Sequence, residues 1–201
     1  MNYKNILWGL CGLFGVYASS CQDYQGDILP DNLVCEYQTN PQAIDSPTPR
    51  LEWVDRLADI QARGVRRTAY QIEAASSRKA LLKGKADLWD SGKVNDSQSL
   101  RIPYGGVSLS AGQACWWRVR VWDQNDEASA WSEPSVWVAG LPEKEWKAQW
   151  IGVPWQDDTA LDELEDKTPP PAPLLRKTFQ VKEGLQSARV WISGLGYYEL
   201  S

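Results

Sequence analysis

Histidine does not occur in this 201-residue chain, which removes Ser-His-Asp and Cys-His catalysis and the commonest zinc ligand together. Chemistry here would have to rest on carboxylates. The densest run of them is Asp157, Asp158, Asp162, Glu163, Glu165 and Asp166. It has enough oxygens for a calcium ion, yet it lacks the Asp-x-Asp-x-Asp-Gly order that wraps a loop around one. It reads as a solvated acidic loop running into the prolines of "TPPPAP", and no metal or cofactor is expected. The second set of chemistry-bearing residues is cationic and aromatic. In "ACWWRVRVWD" the alternation of a strand puts Cys115, Trp117, Val119 and Val121 on one face and Trp116, Arg118, Arg120 and Trp122 on the other. Trp131 of "WSEP" is expected to open the next strand, close enough for its ring to stack on a guanidinium. Arginines between tryptophans make a cation–π ladder, with about 0.5–2 kcal/mol per contact. That reads as a structural lock; the alternative is a flat sugar-binding platform formed by Trp116 and Trp122.

The elements that would position these side chains are strands. From Leu33 to Leu141 short alternating runs are separated by turn residues, which predicts an all-β sandwich of about seven strands. "NLVCEY" places Leu33, Cys35 and Tyr37 on one face. "PRLEWV" turns Leu51 and Trp53 inward before a polar loop from Asp55 to Arg67. "TAYQIEAAS" sets apolar Tyr70, Ile72 and Ala74 against a wet face of Ala69, Gln71 and Glu73. "DLWDSGKV" and "SLRIPY" add two short strands, and the Trp/Arg stretch opens a long hairpin that runs to Gly140. The formal charge of −5, from 21 basic and 26 acidic residues without a dense Lys/Arg block, argues against a nucleic-acid partner. Twelve Trp and 8 Tyr against 2 Phe suit either a sandwich core or a sugar-stacking surface.

The N-terminus carries an export signal. Lys4 precedes an apolar run from Ile6 to Val16, too short for the roughly 20 residues of a spanning helix, and Ala18, Ser19 and Ser20 then lead into Cys21. Small residues directly before a cysteine resemble the bacterial lipobox, in which that thiol is acylated. Ala18 stands where Leu is preferred. Residues 1–20 are thus expected to be a signal peptide and residues 21–32 a tether from a lipid-anchored Cys21, placing the protein in the periplasm or on the cell surface. Cys35 and Cys115 are left with two readings, a disulfide in an oxidising compartment or two small buried apolar residues.

The strings "NPQAIDSPTPRLEW", "TAYQIEAASS", "LWDSGKV", "WWRVRVWD", "WSEP", "WKAQWIG", "APLLRKTF" and "ARVWISGLGYYEL" together resemble, in order, the N-terminal portion of bacterial α-L-rhamnosidases of glycoside hydrolase family 78. The resemblance implies a fibronectin type III/immunoglobulin-like sandwich over residues 33–141 and a linker with the acidic loop over 142–173. Residues 174–201 would then be the first strands of an incomplete jelly-roll domain. Trp146 and Trp150 would pack under that next domain, and Tyr197 and Tyr198 would pack within it. It further implies inverting hydrolysis of terminal α-L-rhamnose from glycans, performed by two carboxylates in a downstream (α/α)6 barrel. No stretch here matches that barrel, so no catalytic residue is assigned. The chain is expected to be a non-catalytic front piece whose partners are the downstream domains and a rhamnose-containing glycan. The alternative is a free-standing carbohydrate-binding or structural surface lipoprotein.

The anchor has a direct test. In cells expressing the chain, Cys21→Ser should move the protein from the membrane fraction to the soluble fraction; retention in the membrane fraction would refute lipidation.

Overall fold

The longest alternating run becomes the longest strand, β6 (Ala114–Trp122), and it pairs antiparallel along the whole of β3 (Ala69–Ala75), from Ala69 opposite Trp122 to Ala75 opposite Trp116. The computed structural model describes residues 27–152, 174–181, 183–185, 188–195 and 198–200. Within them, β4 (Trp89–Asp90) and β7 (Ser135–Val138) flank this pair to give a four-stranded sheet in the order β4-β3-β6-β7. A second sheet of three strands, β1-β2-β5, consists of β1 (Ile28–Cys35), β2 (Arg50–Leu57) and β5 (Ile102–Pro103). All strand pairs are antiparallel. The architecture is the expected all-β, immunoglobulin-like sandwich.

One core serves both sheets. Cys35, Leu51, Trp53 and Ile102 come from the first sheet, and Ile72, Ala74, Cys115, Trp117, Val119, Val121 and Trp137 from the second. The tryptophans set the spacing. Trp117 and Trp137 meet edge to face at 6.4 Å, Trp137 meets Tyr104 at 5.1 Å, and Tyr104 meets Trp89 at 5.3 Å. Each buried ring contributes on the order of 4–6 kcal/mol as an upper estimate from its area. The Tyr104 hydroxyl donates to the Val107 carbonyl at 3.0 Å. Gly106 beside it has no room for a Cβ, which would press into that hydroxyl and the Leu88 carbonyl.

The only α-helix among the described residues, α1 (Arg78–Leu82), closes the connection from β3 to β4. Ser77 caps it by accepting from the Ala80 amide at 3.2 Å, Leu81 is its buried anchor, and Gly84 ends it with φ +73°.

Several expectations need correction. Strand β1 begins at Ile28, so residues 28–31 are paired with β2 and residues 21–32 are not all tether. The strand also ends at Cys35. Glu36 and Tyr37 both have positive φ and form a two-residue hairpin turn closed by Cys35 and Gln38, so Tyr37 is exposed and does not join Leu33 and Cys35 on the core face. Glu36 accepts from the Arg50 amide and guanidinium, and Arg50 lies 4.9 Å from the Tyr37 ring; these contacts hold a turn whose sequence lacks the usual Asn-Gly. Strand β2 continues to Leu57, past the expected start of a loop at Asp55, because β1 supplies partners as far as Ile28. Trp131 precedes β7, which starts at Ser135. None of the described residues from Leu174 to Leu200 lies in a strand, and Leu174, Phe179, Val181 and Leu195 are exposed. The strands expected at 174–201 are therefore not formed among the described residues, where no neighbouring strand satisfies their backbone. Trp146 and Trp150 are also partly or largely exposed, lining a cleft of about 550 Å³ with Trp191 and Ile192.

Cys35 and Cys115 are free thiols on opposite sheets, both fully buried. Burial, aided by the neighbouring Glu36 carboxylate, pushes the Cys35 thiol up to about 12, and burial raises that of Cys115 as well. An acid whose folded pKa is raised holds its proton better folded than unfolded, so its stabilising contribution is complete below the ordinary thiol value and is lost as pH climbs through the folded one. Unfolding free energy should therefore fall between about pH 9 and 12, and Cys35→Ala should flatten that fall in urea titrations. A disulfide reagent at pH 8 should label neither thiol in the native protein and both in urea.

Candidate functional site

Strand pairing decides which cation meets which ring. Because Gln71 stands opposite Arg120 and Glu73 opposite Arg118 on β3 and β6, each arginine can bond straight across to its partner. Arg118 donates through Nε and Nη2 to one oxygen of Glu73 at 2.9 and 2.7 Å. Arg120 donates through Nε and Nη2 to Gln71 Oε1 at 3.0 and 2.7 Å, and Gln71 Nε2 donates on to Asp90 Oδ1 of β4 at 2.6 Å. These cross-strand bonds hold the guanidinium planes in place for stacking.

The rings fit between them. Arg118 lies 4.4 Å from the centre of Trp131, Arg120 lies 4.7 Å from Trp131 and 4.9 Å from Trp122, and Lys93 lies 4.9 Å from Trp122. The order is Arg118, Trp131, Arg120, Trp122, Lys93, with cation and indole alternating throughout. Lys93 is tied in turn to Asp126. This ladder covers the face of β3 expected to be wet, so Gln71 is buried and Glu73 nearly so.

Trp131 reaches the arginines because of what flanks it. Ser129 and Ser132 each accept from a β6 amide through the hydroxyl, that of Val121 and that of Val119, both at 3.1 Å. Their own amides donate back to the Val121 and Val119 carbonyls at 2.8 Å. A three-residue step in this segment thus matches a two-residue step in the strand, and Trp131 is placed over Arg118 and Arg120.

Of the five residues singled out from the sequence, the structure brings together Arg118, Arg120, Trp122 and Trp131. Trp116 stands apart. It is half-buried at a register opposite Ala75 and Val136, and it takes no part in the cation and ring contacts of the ladder. Lys93, Gln71 and Glu73 were not anticipated in the ladder; alternation within one strand cannot indicate what a neighbouring strand or loop will lay against it. The flat platform of Trp116 and Trp122 is not what the geometry forms, since Trp122 is 9% exposed and has a cation near it from both Arg120 and Lys93.

Asp55, Asp123, Glu36 and Asp87 are committed to structural partners. Asp55 pairs with Arg67, whose guanidinium also lies over Trp53 at 5.4 Å; burial raises the Asp55 pKa against that attraction. Asp123 accepts from the Asn125 and Glu127 amides at 2.8 and 3.0 Å and shapes the β6 turn. Hydrogen bonds from Arg50 hold the Glu36 carboxyl below its ordinary value, and those from the Ser76 amide and hydroxyl do the same for Asp87. Among the described residues no group of acids, Cys or His is placed to hold a metal ion. Cys21, Tyr197 and the acidic run from Asp157 to Asp166 lie outside the described residues, and Tyr198 is exposed.

Comparison with known proteins gives one consistent answer. A family model described as Rha78A-like, N-terminal immunoglobulin domain matches residues 30–143. An α-L-rhamnosidase of Formosa agariphila is 33% identical across 99% of this chain, which spans 22% of that relative; one of Streptomyces avermitilis is 42% identical across 59% of this chain and 11% of its own length. The crystal structure of the Streptomyces avermitilis α-L-rhamnosidase complexed with L-rhamnose superposes on 63% of this chain and 12% of its own, with TM-score 0.58 and 40% identity. The structure of the α-L-rhamnosidase from Dictyoglumus thermophilum covers 61% of this chain and 14% of its own, with TM-score 0.57 and 35% identity. This chain thus spans about a fifth of the length of the Formosa agariphila relative, and less of the others just named.

The ladder should be measurable as stability. Removing Glu73 leaves Arg118 enclosed without its partner, so Glu73→Ala should cost about 3 kcal/mol or more. Lys93→Ala, at the exposed end, should cost under about 1 kcal/mol. Urea denaturation would measure both, and equal losses would show that the ladder is not graded by burial.

Proposed function

We propose, for a chain that belongs to the family of Rha78A-like N-terminal immunoglobulin domains, that it is the leading, non-catalytic part of an exported α-L-rhamnosidase. The parent enzyme removes terminal α-L-rhamnose from glycans or glycosides, and its general acid and general base lie in a downstream domain. The observation that carries this reading is the pattern of coverage: nearly all of this chain aligns with about a fifth of a rhamnosidase, and the matched family is named for the N-terminal position.

The side-chain geometry supports a scaffolding role for the sandwich. Among its described carboxylates, Asp55, Glu73 and Asp123 are engaged by Arg67, Arg118 and backbone amides, and these three serve as structural groups and not as the facing acid and base of a hydrolase. Its most conspicuous aromatic stripe is occupied by its own cations. Export through the N-terminal signal and acylation at Cys21 would hold the enzyme in the periplasm or at the cell surface, where a rhamnose-containing glycan would be met. Residues from Leu174 onward carry apolar side chains that would be covered by the domain that follows.

The coding DNA after the Ser201 codon should continue in frame for several hundred residues. The chain alone should release no aryl group from an aryl α-L-rhamnoside, whereas the continued polypeptide should. Turnover by residues 1–201 alone would overturn the proposal.

A further inference from the structure

Where β1, at the edge of the three-stranded sheet, approaches the segment that leads into β7, the two sheets leave an open cleft of about 190 Å³. Its walls are made by departures from regular strand. Strand β1 bulges there, taking three steps from Asp31 to Val34 while β2 takes two from Val54 to Glu52, and Asn32 sits in the bulge with φ +50°. The bulge turns Asp31 and Asn32 toward the cleft rim. The lining includes Asn40, also at positive φ, whose Oδ1 accepts from the Ser135 hydroxyl and the Val136 amide, both at 3.0 Å. Those two bonds fix the amide, and its NH₂ remains as a donor. The opposite wall carries Glu133.

The lining narrows the kind of occupant. Pro30 and Pro134 have no backbone N–H, and with the bulge they leave a poor template for an added strand. A peptide edge does not suit it. No lysine or arginine lines it, while two carboxylates do, so phosphate and other anions are disfavoured. Both carboxylates have an exposed arginine partner, Arg56 for Asp31 at 2.9 Å and Arg78 for Glu133 at 3.5 Å; this leaves Glu133 a further oxygen to accept from hydroxyls, and Asp31 Oδ1, which takes the Asn32 amide at 2.8 Å, a second lone pair. The prolines and Leu33 offer an apolar strip next to these polar groups. The volume lies below the roughly 300–1,000 Å³ of sites for drug-sized ligands and suits a single ring.

We propose that this cleft binds a neutral polyhydroxylated ring, one monosaccharide unit of a glycan, with Asp31 and Glu133 accepting from its hydroxyls, Asn40 donating to it and the prolines packing on its C–H face. This goes beyond the reading of the preceding section, because it assigns binding to the sandwich itself and not to the catalytic domain.

The test is a titration of the full ¹⁵N-labelled chain, followed by amide chemical shifts, with L-rhamnose and D-glucose as probes and calcium chloride and sodium phosphate as ionic controls. Saturable shifts from at least one sugar, clustered at Asn32, Thr39, Asn40 and Ser135, are expected. Glu133→Ala and Asp31→Ala, both at exposed positions, should each weaken binding about tenfold with the thermal midpoint unchanged. Absence of saturable shifts with both sugars would overturn the proposal. So would shifts located elsewhere, shifts at these amides driven by calcium or phosphate but by neither sugar, or undiminished binding in both variants. Since this chain alone is measured, those outcomes would leave the assignment of the parent activity standing.

Discussion

The pairing of β3 with β6 is the constraint on which the other contacts depend. It is buried on both faces. On the inner face it presents Ile72, Ala74, Trp117, Val119 and Val121 to the opposite sheet; on the outer face it sets Gln71 against Arg120 and Glu73 against Arg118. A slip of one residue would exchange these faces and bury two guanidinium groups among indoles and aliphatic side chains without partners. Register is thus enforced twice, by apolar burial within and by charge pairing without, and the second sheet, the helix and the Trp131 segment are built around a pair that has one alignment available.

Much of this was legible in the residues, and the exceptions have physical causes. Strands that alternate cleanly and are buried on one face, such as the inner stripe of β6, can be identified without knowledge of their neighbours. The turn at Glu36–Tyr37 cannot, because local propensity argues against positive φ for both residues and the compensation comes from Arg50, 14 residues away on another strand. The ladder was partly legible for the same reason. Arg118, Arg120 and Trp122 share a strand face, but Lys93 arrives through the bridge between Tyr70 and Val94, which brings a loop alongside β3. Trp116 was included because alternation counts residues, whereas inclusion depends on which rings and cations meet. The Asn40 cleft left no trace in any pattern, since its walls are joined only when β1 and β7 are placed side by side.

The protein's relation to the rhamnosidases gives the tryptophan-rich composition its meaning. Twelve tryptophans in 201 residues suggest a surface for stacking sugars, yet Trp53, Trp117 and Trp137 are in the core and Trp122 and Trp131 are held between cations. The sandwich uses the first three to hold two small sheets together and the other two to cover the outer face of β3 and β6. A domain of this kind, with about 110 residues matched to its family, has a modest core and gains from large rings that span the gap between sheets.

The serines beside Trp131 act as a vernier. Two scales of different pitch, three residues in the 129–132 segment and two in β6, coincide at Val119 and Val121. Removing or inserting one residue between Ser129 and Ser132 would leave only one mark aligned and would turn the indole away from both guanidinium groups. The turn at Gln124–Asp126 is gauged separately, by the Asp123 carboxylate on the Asn125 and Glu127 amides and by Lys93 on Asp126. The spacing of the four residues that follow Ala128, more than the identity of any single one of them, is therefore what sets the indole over both guanidinium groups.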